Sequence, residues 1–196
     1  MKKMAIVTGV LLIVALVAYN QRATIAARIM ERGLESLMGA DRVATLADGL
    51  HLALCGAGGP LPAPKASGPC VAVVAGKQLY VVDAGTDGVR NLTRMGFQPG
   101  TIQGVFLTHF HSDHIDGLGE MGTIRWAGGD NRSPLPVYGP GGVEQVVSGL
   151  NTAYAQDFTY RNEHHGDTVA PLGGAGLQAV PFAKPAIGAL TTVLDD

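Results

Sequence analysis

Ten residues, Thr108 to Gly117 (T-H-F-H-S-D-H-I-D-G), hold three of the six histidines of a 196-residue chain, together with two aspartates. In an extended segment, side chains two positions apart point the same way, so His109 and His111 can aim both imidazoles at one point. Where the chain then turns into a helix, Asp113 and His114 can face the same cavity from the other side. Imidazole and carboxylate suit zinc or a similar first-row metal, and a catalytic site of this kind keeps one position open for water. Two ions about 3.5–4 Å apart would share one hydroxide and clamp a phosphate-type centre. Thiolate ligands are not expected, because neither cysteine is close to the motif in sequence.

These residues need a scaffold, and the pattern around them supplies one. Cys70 to Ala75 and Gln78 to Asp83 read as two strands of a hairpin turning at Gly76-Lys77. Thr86 is placed to cap a helix ending near Met95-Gly96. Ile102 to Leu107 reads as the next strand, so the histidine motif leaves a strand at its C-terminal end, where α/β folds place their chemistry. A helix from about Asp116 to Trp126, a short strand Leu135 to Tyr138 and a helix Gly141 to Ala155 follow. His51 to Cys55 reads as an earlier strand, running into the Gly/Pro loop G-A-G-G-P-L-P-A-P. Beyond Gln156 the pattern weakens to strand-like runs at Leu177 to Phe182 and Leu190 to Leu194. The alternation predicts an α/β architecture.

The ends and the bulk composition add further expectations. Met1-Lys2-Lys3 followed by the apolar run Ala5 to Tyr19 has the form of a secretory signal or uncleaved signal anchor. This predicts contact with the inner membrane through residues 4–21 and a membrane-anchored or exported, extracytoplasmic protein. Gln21 to Met38 reads as an amphipathic helix, giving a division into residues 1–20 (anchor or signal peptide), 21–45 (linker helix) and 46–196 (the globular domain). Cys55 and Cys70 are readable either as a disulfide or as two buried thiols. A formal net charge of -2 and a pI near 6.3 offer no basic surface for a phosphate backbone, so nucleic acid is not favoured as a partner.

V-V-D-A-G (Val81 to Gly85), followed by V-F-L-T-H-F-H-S-D-H-I-D-G (Val105 to Gly117), resembles the metallo-β-lactamase superfamily. The L-C-G-A-G-G-P loop and L-P-V-Y-G-P (Leu135 to Pro140) are most similar to its ribonuclease Z and arylsulfatase-like branch. The resemblance implies an αββα sandwich, two zinc ions in the complete family site, and ester hydrolysis by a metal-bound hydroxide. It implies that His109 and His111 bind one metal and that Asp113 and His114 bind the second. Asp113 would also handle a proton during attack. Asp83 would position the motif loop without binding metal, or serve only as a strand-end turn carboxylate.

The family completes this site with a later histidine, a bridging aspartate and a final histidine. After His114 the chain has only His164 and His165, in the string R-N-E-H-H-G-D-T, so His165 and Asp167 are the remaining candidates. The expectation is therefore the N-terminal half of the sandwich plus an N-terminal hydrophobic helix, with one metal or a partial site. Such a half leaves an apolar sheet face uncovered, which predicts either a fragment of a longer product or a chain that needs a second copy or complementing chain.

Four functions compete on these grounds. The first is a zinc-dependent hydrolase acting on small phosphate or sulfate esters, and the second a catalytically incomplete metal-binding fragment or interaction module. A tRNA 3′-processing endonuclease and a β-lactamase follow. The segments Arg125 to Pro134 and Tyr154 to Asp167 are the expected specificity loops.

Overall fold

The computed structural model describes residues 17–38, 41–61 and 64–194. The chain divides into two units, Met1–Gly39 and Ala40–Asp196. In the first, helix α1 (Arg22–Met38) forms as the apolar spacing predicts. Near its start the Arg22 guanidinium stacks over the Tyr19 ring, 4.1 Å from its centroid. A membrane-spanning helix needs about 20 predominantly apolar residues, whereas α1 carries Arg22, Arg28, Glu31, Arg32 and Glu35 within its span. Among the described residues no helix is long and apolar enough to cross a membrane. The expected inner-membrane contact through residues 4–21, and the membrane-anchored or exported placement drawn from it, are corrected to this: no described helix crosses a membrane. Residues 1–16 of the apolar run lie outside the described residues.

The second unit opens with the short helix α2 (Arg42–Thr45), whose N-terminus is capped by Asp41. Six strands follow: β1 (Leu50–Gly56), β2 (Cys70–Ala75), β3 (Gln78–Val82), β4 (Ile102–Phe106), β5 (Leu135–Gly139) and β6 (Leu177–Pro181). They form one sheet in sequential order. β1, β2 and β3 pair antiparallel, and β3 through β6 pair parallel. Each parallel step needs a crossover: α3 (Gly88–Arg94), then α4 (Ser112–Ile115) with α5 (Leu118–Gly128), then α6 (Val143–His165). Because such crossovers are right-handed and the sheet grows in one direction, the helices fall on one face.

That face is the core. Val89 and Leu92 of α3, Leu118 and Met121 of α5 and Val143 and Val147 of α6 join Leu79, Val81, Val105, Val137 and Leu177 in one buried cluster. Trp126 is fully buried and its indole N–H donates to the Pro171 carbonyl at 2.7 Å. Each such large side chain contributes about 1.5–3 kcal/mol by leaving water. The residues between them in the strands point to the other face, where Tyr80, Phe106 and Tyr138 make a row of contacting rings. On that face Leu50, Leu52 and Leu54 of β1 are 71, 69 and 68% exposed. Within the described residues the fold is thus α/β, with one layer of helices on one sheet.

Several local expectations change. Asp87, with φ of 64°, precedes α3 instead of a Thr86 cap. α6 runs ten residues beyond Ala155, to His165, because the segment expected as a polar loop stays helical. Residues 190–194 form no strand. Cys55 and Cys70 form a disulfide, with Cα atoms 5.0 Å apart.

Candidate active site

The site forms where β3 and β4 end side by side. After β3 the chain leaves the sheet at Asp83, whose φ of 58° is left-handed. An aspartate tolerates that region better than most residues, yet it still costs about 1–2 kcal/mol. The turn points the Asp83 carboxylate at the neighbouring strand end. Its Oδ1 accepts from the Thr108 backbone N–H at 2.9 Å, and the Thr108 hydroxyl bonds both carboxylate oxygens at 3.0 and 2.9 Å. Asp83 is only 6% exposed, so these bonds satisfy a carboxylate that would otherwise be costly to bury.

Two histidines are oriented from this one carboxylate. His114 Nδ1 donates to Asp83 Oδ2 at 2.8 Å, which leaves the lone pair on Nε2. The Thr108 hydroxyl has one proton and gives it to Asp83, so its 3.0 Å bond with His109 Nδ1 has His109 as donor. His109 therefore also presents Nε2 as its lone-pair nitrogen. A carboxylate behind an imidazole, direct or relayed, is the usual way a metal-binding histidine is fixed and made more basic.

The other motif residues converge on the same point. The His109 ring centroid is 4.5 Å from that of His111 and 4.0 Å from that of His114. His111 precedes α4, and Asp113 on that helix holds Oδ2 3.6 Å from His114 Nε2. The turn is locked by backbone bonds from Ala84 N to His114 O and from Gly117 N to Ala84 O, both 2.8 Å. Gly117 permits this approach, since a Cβ there would stand 2.5 Å from the Gly85 carbonyl oxygen. Phe110, between the two histidines, points away and packs under Gly139 and Gly142 at the start of α6.

The donor set of three imidazoles and one carboxylate, with Nε2 left as the lone-pair nitrogen of His109 and His114, fits a zinc-type ion. The side chains converge without forming a closed set: among the described residues no three His, Cys, Asp or Glu side chains stand at metal-holding geometry. Beside the motif lies a cavity of about 470 Å³, with Asp113 and Asp116 on one side and the loop after β1 on the other. A second cavity, about 660 Å³, shares Asp116 and extends along α3, α5 and α6. At its rim Glu120 accepts from Arg90 Nε at 2.7 Å, a hydrogen bond and charge pair that raise the guanidinium's pKa above its ordinary value.

His165 and Asp167 are not brought to this site. α6 starts at the C-terminal end of β5, beside Phe110, and its 23 residues carry the chain about 35 Å back toward the start of β6. His165 is exposed in its last turn, and Asp167 accepts from Asn162 Nδ2 at 2.7 Å. Of the expected specificity segments, Tyr154 to Asp167 is largely helical and lends Tyr154, Asp157 and Arg161 to the second cavity, whereas Arg125 to Pro134 lies elsewhere. Arg125 is buried at the far end of the sheet, donating to the carbonyls of Ile102 and Ser133 at 3.0 and 2.7 Å, and burial lowers its pKa. Thr108 and Asp116 were missed in the sequence. Thr108 had a legible signal, a hydroxyl next to the first histidine at a strand end.

Residues 64–182 match the family model described as the Metallo-beta-lactamase superfamily. The chain belongs to the metallo-β-lactamase superfamily. Its likeness within that superfamily of hydrolases is to the ribonuclease Z branch. It is 36% identical over 124 residues to Ribonuclease Z of Mycobacterium bovis (strain BCG / Pasteur 1173P2), which is 62% of this chain and 44% of that protein. It is 36% identical, again over 124 residues, to Ribonuclease Z of Mycolicibacterium gilvum (strain PYR-GCK), covering 62% and 43%. The chain thus spans less than half the length of the curated relatives it matches.

Among solved structures, the metallo-beta-lactamase fold protein YhfI from Bacillus subtilis is 21% identical, over 69% of this chain and 46% of that one, with a TM-score of 0.48. The short form of human tRNase Z is 22% identical, over 69% and 46%, with a TM-score of 0.45.

The relatives' name corrects one expectation from charge. A ribonuclease acts on RNA, so nucleic acid is not to be set aside as a partner of this metallo-β-lactamase chain. Net charge failed as a guide because it averages over the whole surface, whereas engaging one phosphodiester takes a few local contacts.

Proposed function

We propose that this chain carries the motif half of a ribonuclease Z-type site and takes part in the hydrolysis of an RNA phosphodiester, with tRNA 3′ processing as the leading case. The observation that supports it is the pair of imidazoles, His109 and His114, held directly or through Thr108 from one buried carboxylate, each with Nδ1 engaged and Nε2 left as the lone-pair nitrogen. The 36% identity to proteins named Ribonuclease Z supports RNA as the substrate class.

In this reading His109 and His111 hold one zinc ion, and Asp113 and His114 hold or share a second. Bound there, zinc would supply Lewis-acid polarisation of the phosphoryl oxygen. Asp113 is the proton acceptor: its Oδ2 lies 3.6 Å from His114 Nε2, at the edge of the cavity where an attacking water would stand. Asp83 keeps both imidazoles in the ligating tautomer, and Thr108 extends that control to His109.

The test is cleavage of a precursor tRNA carrying a 3′ trailer, with zinc added, by the chain and by its Asp113→Ala variant. The expected result is a single cut at the 3′ side, lost by about 100-fold or more in the variant. Zinc binding with no RNA cleavage would overturn the reading and leave a metal-binding module. Cleavage that survives Asp113→Ala would overturn the assignment of the site.

A further inference from the structure

At the end of the sheet opposite the motif lies a third cavity, of about 300 Å³. It is bounded by α2, by β1 and β2, and by the turn that follows α3. Val74 and Phe97, 1 and 4% exposed, form its floor, and Leu46, Ala53 and Met95 are its partly buried walls. Val74 pairs with Leu79, four residues before Asp83, which places the cavity about 13 Å along the strands from the metal motif. The two sites are separate.

The cavity is built before any ligand arrives, because α2 is fixed at both ends. Arg42 N donates to the Gly96 carbonyl at 2.8 Å. Lys77 Nζ reaches the carbonyls of Val43, Ala44 and Leu46 at 3.3, 3.3 and 2.9 Å, satisfying acceptors that a helix end leaves open. Two polar side chains line the otherwise apolar space, Arg42 and His51. His51 Nε2 donates to the Ala47 carbonyl at 2.8 Å, which fixes the ring as part of the wall. The exposed Arg42 guanidinium makes one long bond, from Nε to the Met95 carbonyl at 3.4 Å, and no ion pair among the described residues. Its neighbour Asp41 is committed as the cap of α2, accepting from Ala44 N at 3.2 Å, and no carboxylate lines the cavity.

Small-molecule sites start at about 300 Å³ and combine apolar walls with a few placed polar groups. A guanidinium that lines such a space and lacks an acid of its own favours an anion, and a carboxylate matches the geometry of its fork. We propose that this cavity binds a medium-chain aliphatic monocarboxylate, its head on Arg42 and its chain over Val74, Met95 and Phe97. The single positive charge is matched by a single negative one, and the apolar floor by a hydrocarbon. A sugar phosphate brings extra charge to this space and no apolar body to cover the floor.

The test is a methyl NMR titration of the full chain with octanoate and with octan-1-ol, its uncharged counterpart. Octanoate is expected to move the methyl signals of Leu46, Val74 and Met95. It should bind about tenfold more tightly than the alcohol, the lower end of what a hydrogen bond to a charged group contributes. Arg42→Gln should bring the two affinities within about twofold while the alcohol binds as before. Ala53→Phe fills the space and keeps Arg42, and should abolish binding of both probes. Shifts at Leu50 and Leu54 on the open face of the sheet in place of the cavity residues would overturn the proposal. So would equal affinity for the two probes, or a preference that survives Arg42→Gln. Unchanged binding in Ala53→Phe would overturn the cavity as the place. The titration contains neither metal nor RNA, so each of these outcomes leaves the phosphodiester reading as it was.

Discussion

His114 Nδ1 lies 2.8 Å from Asp83 Oδ2, across 31 residues of sequence, and that bond joins the end of one strand to the helical turn that follows the next. Through Thr108 the same carboxylate reaches His109. One buried side chain therefore sets the ligating nitrogen of two of the three motif histidines.

Asp83→Asn tests this arrangement. The amide can still accept from Thr108, but it can no longer enforce a proton on His114 Nδ1 as a carboxylate does. Zinc affinity is expected to fall by about 10–100-fold, measured by competition with a chromogenic chelator, while the thermal midpoint changes little. Unchanged affinity would mean that His114 needs no such partner.

Thr108→Val removes the relay and keeps the shape. Because His114 retains its direct bond to Asp83, the loss of zinc affinity should be smaller than in Asp83→Asn, about tenfold or less. The double variant should lose little beyond Asp83→Asn alone, since both act on one network. Additive losses would separate the two residues.

Gly117→Ala attacks the packing of the turn. A Cβ there meets the Gly85 carbonyl oxygen at 2.5 Å, and because that oxygen is backbone the loop must move. The expected cost is about 1–3 kcal/mol in denaturant unfolding, together with weakened zinc binding. A fully stable variant would show that the two segments have room to part.

Reduction of the Cys55–Cys70 disulfide, or Cys55→Ser with Cys70→Ser, should lower stability by about 3 kcal/mol on the chain-entropy model for a separation of 15 residues. For a domain of this size that is roughly 6–12 °C in Tm by calorimetry. No shift would mean that the bonds of Asn91 Nδ2 to the Cys55 carbonyl and the Ser67 hydroxyl hold the two chain segments together without it.

Much of this was legible in advance because the chemistry is local. The spacing of His109, His111, Asp113 and His114 needs only a strand end and one turn of helix to converge, and the β-type runs around Val81 and Val105 supplied both. The family resemblance rested on the same residues, and the family match includes them. What failed depended on distance or direction. His165 and Asp167 looked adjacent in chemistry, yet the length of α6 takes them to the other end of the sheet. The helix could not be read past Ala155 because Asp157, Arg161 and Asn162 give it a polar surface, partly tied by the Arg161–Asp157 pair at 2.7 Å. The choice between disulfide and free thiols needed the 5.0 Å Cα separation, which no spacing in sequence supplies.

The most direct measurement is zinc K-edge X-ray absorption of the chain loaded with zinc, alongside His109→Ala and the His165→Ala control. The site described here predicts nitrogen and oxygen neighbours at about 2.0–2.1 Å with imidazole scattering, lost or reduced in His109→Ala and unchanged in His165→Ala. Sulfur neighbours at about 2.3 Å, or a spectrum that follows His165 instead of His109, would contradict it.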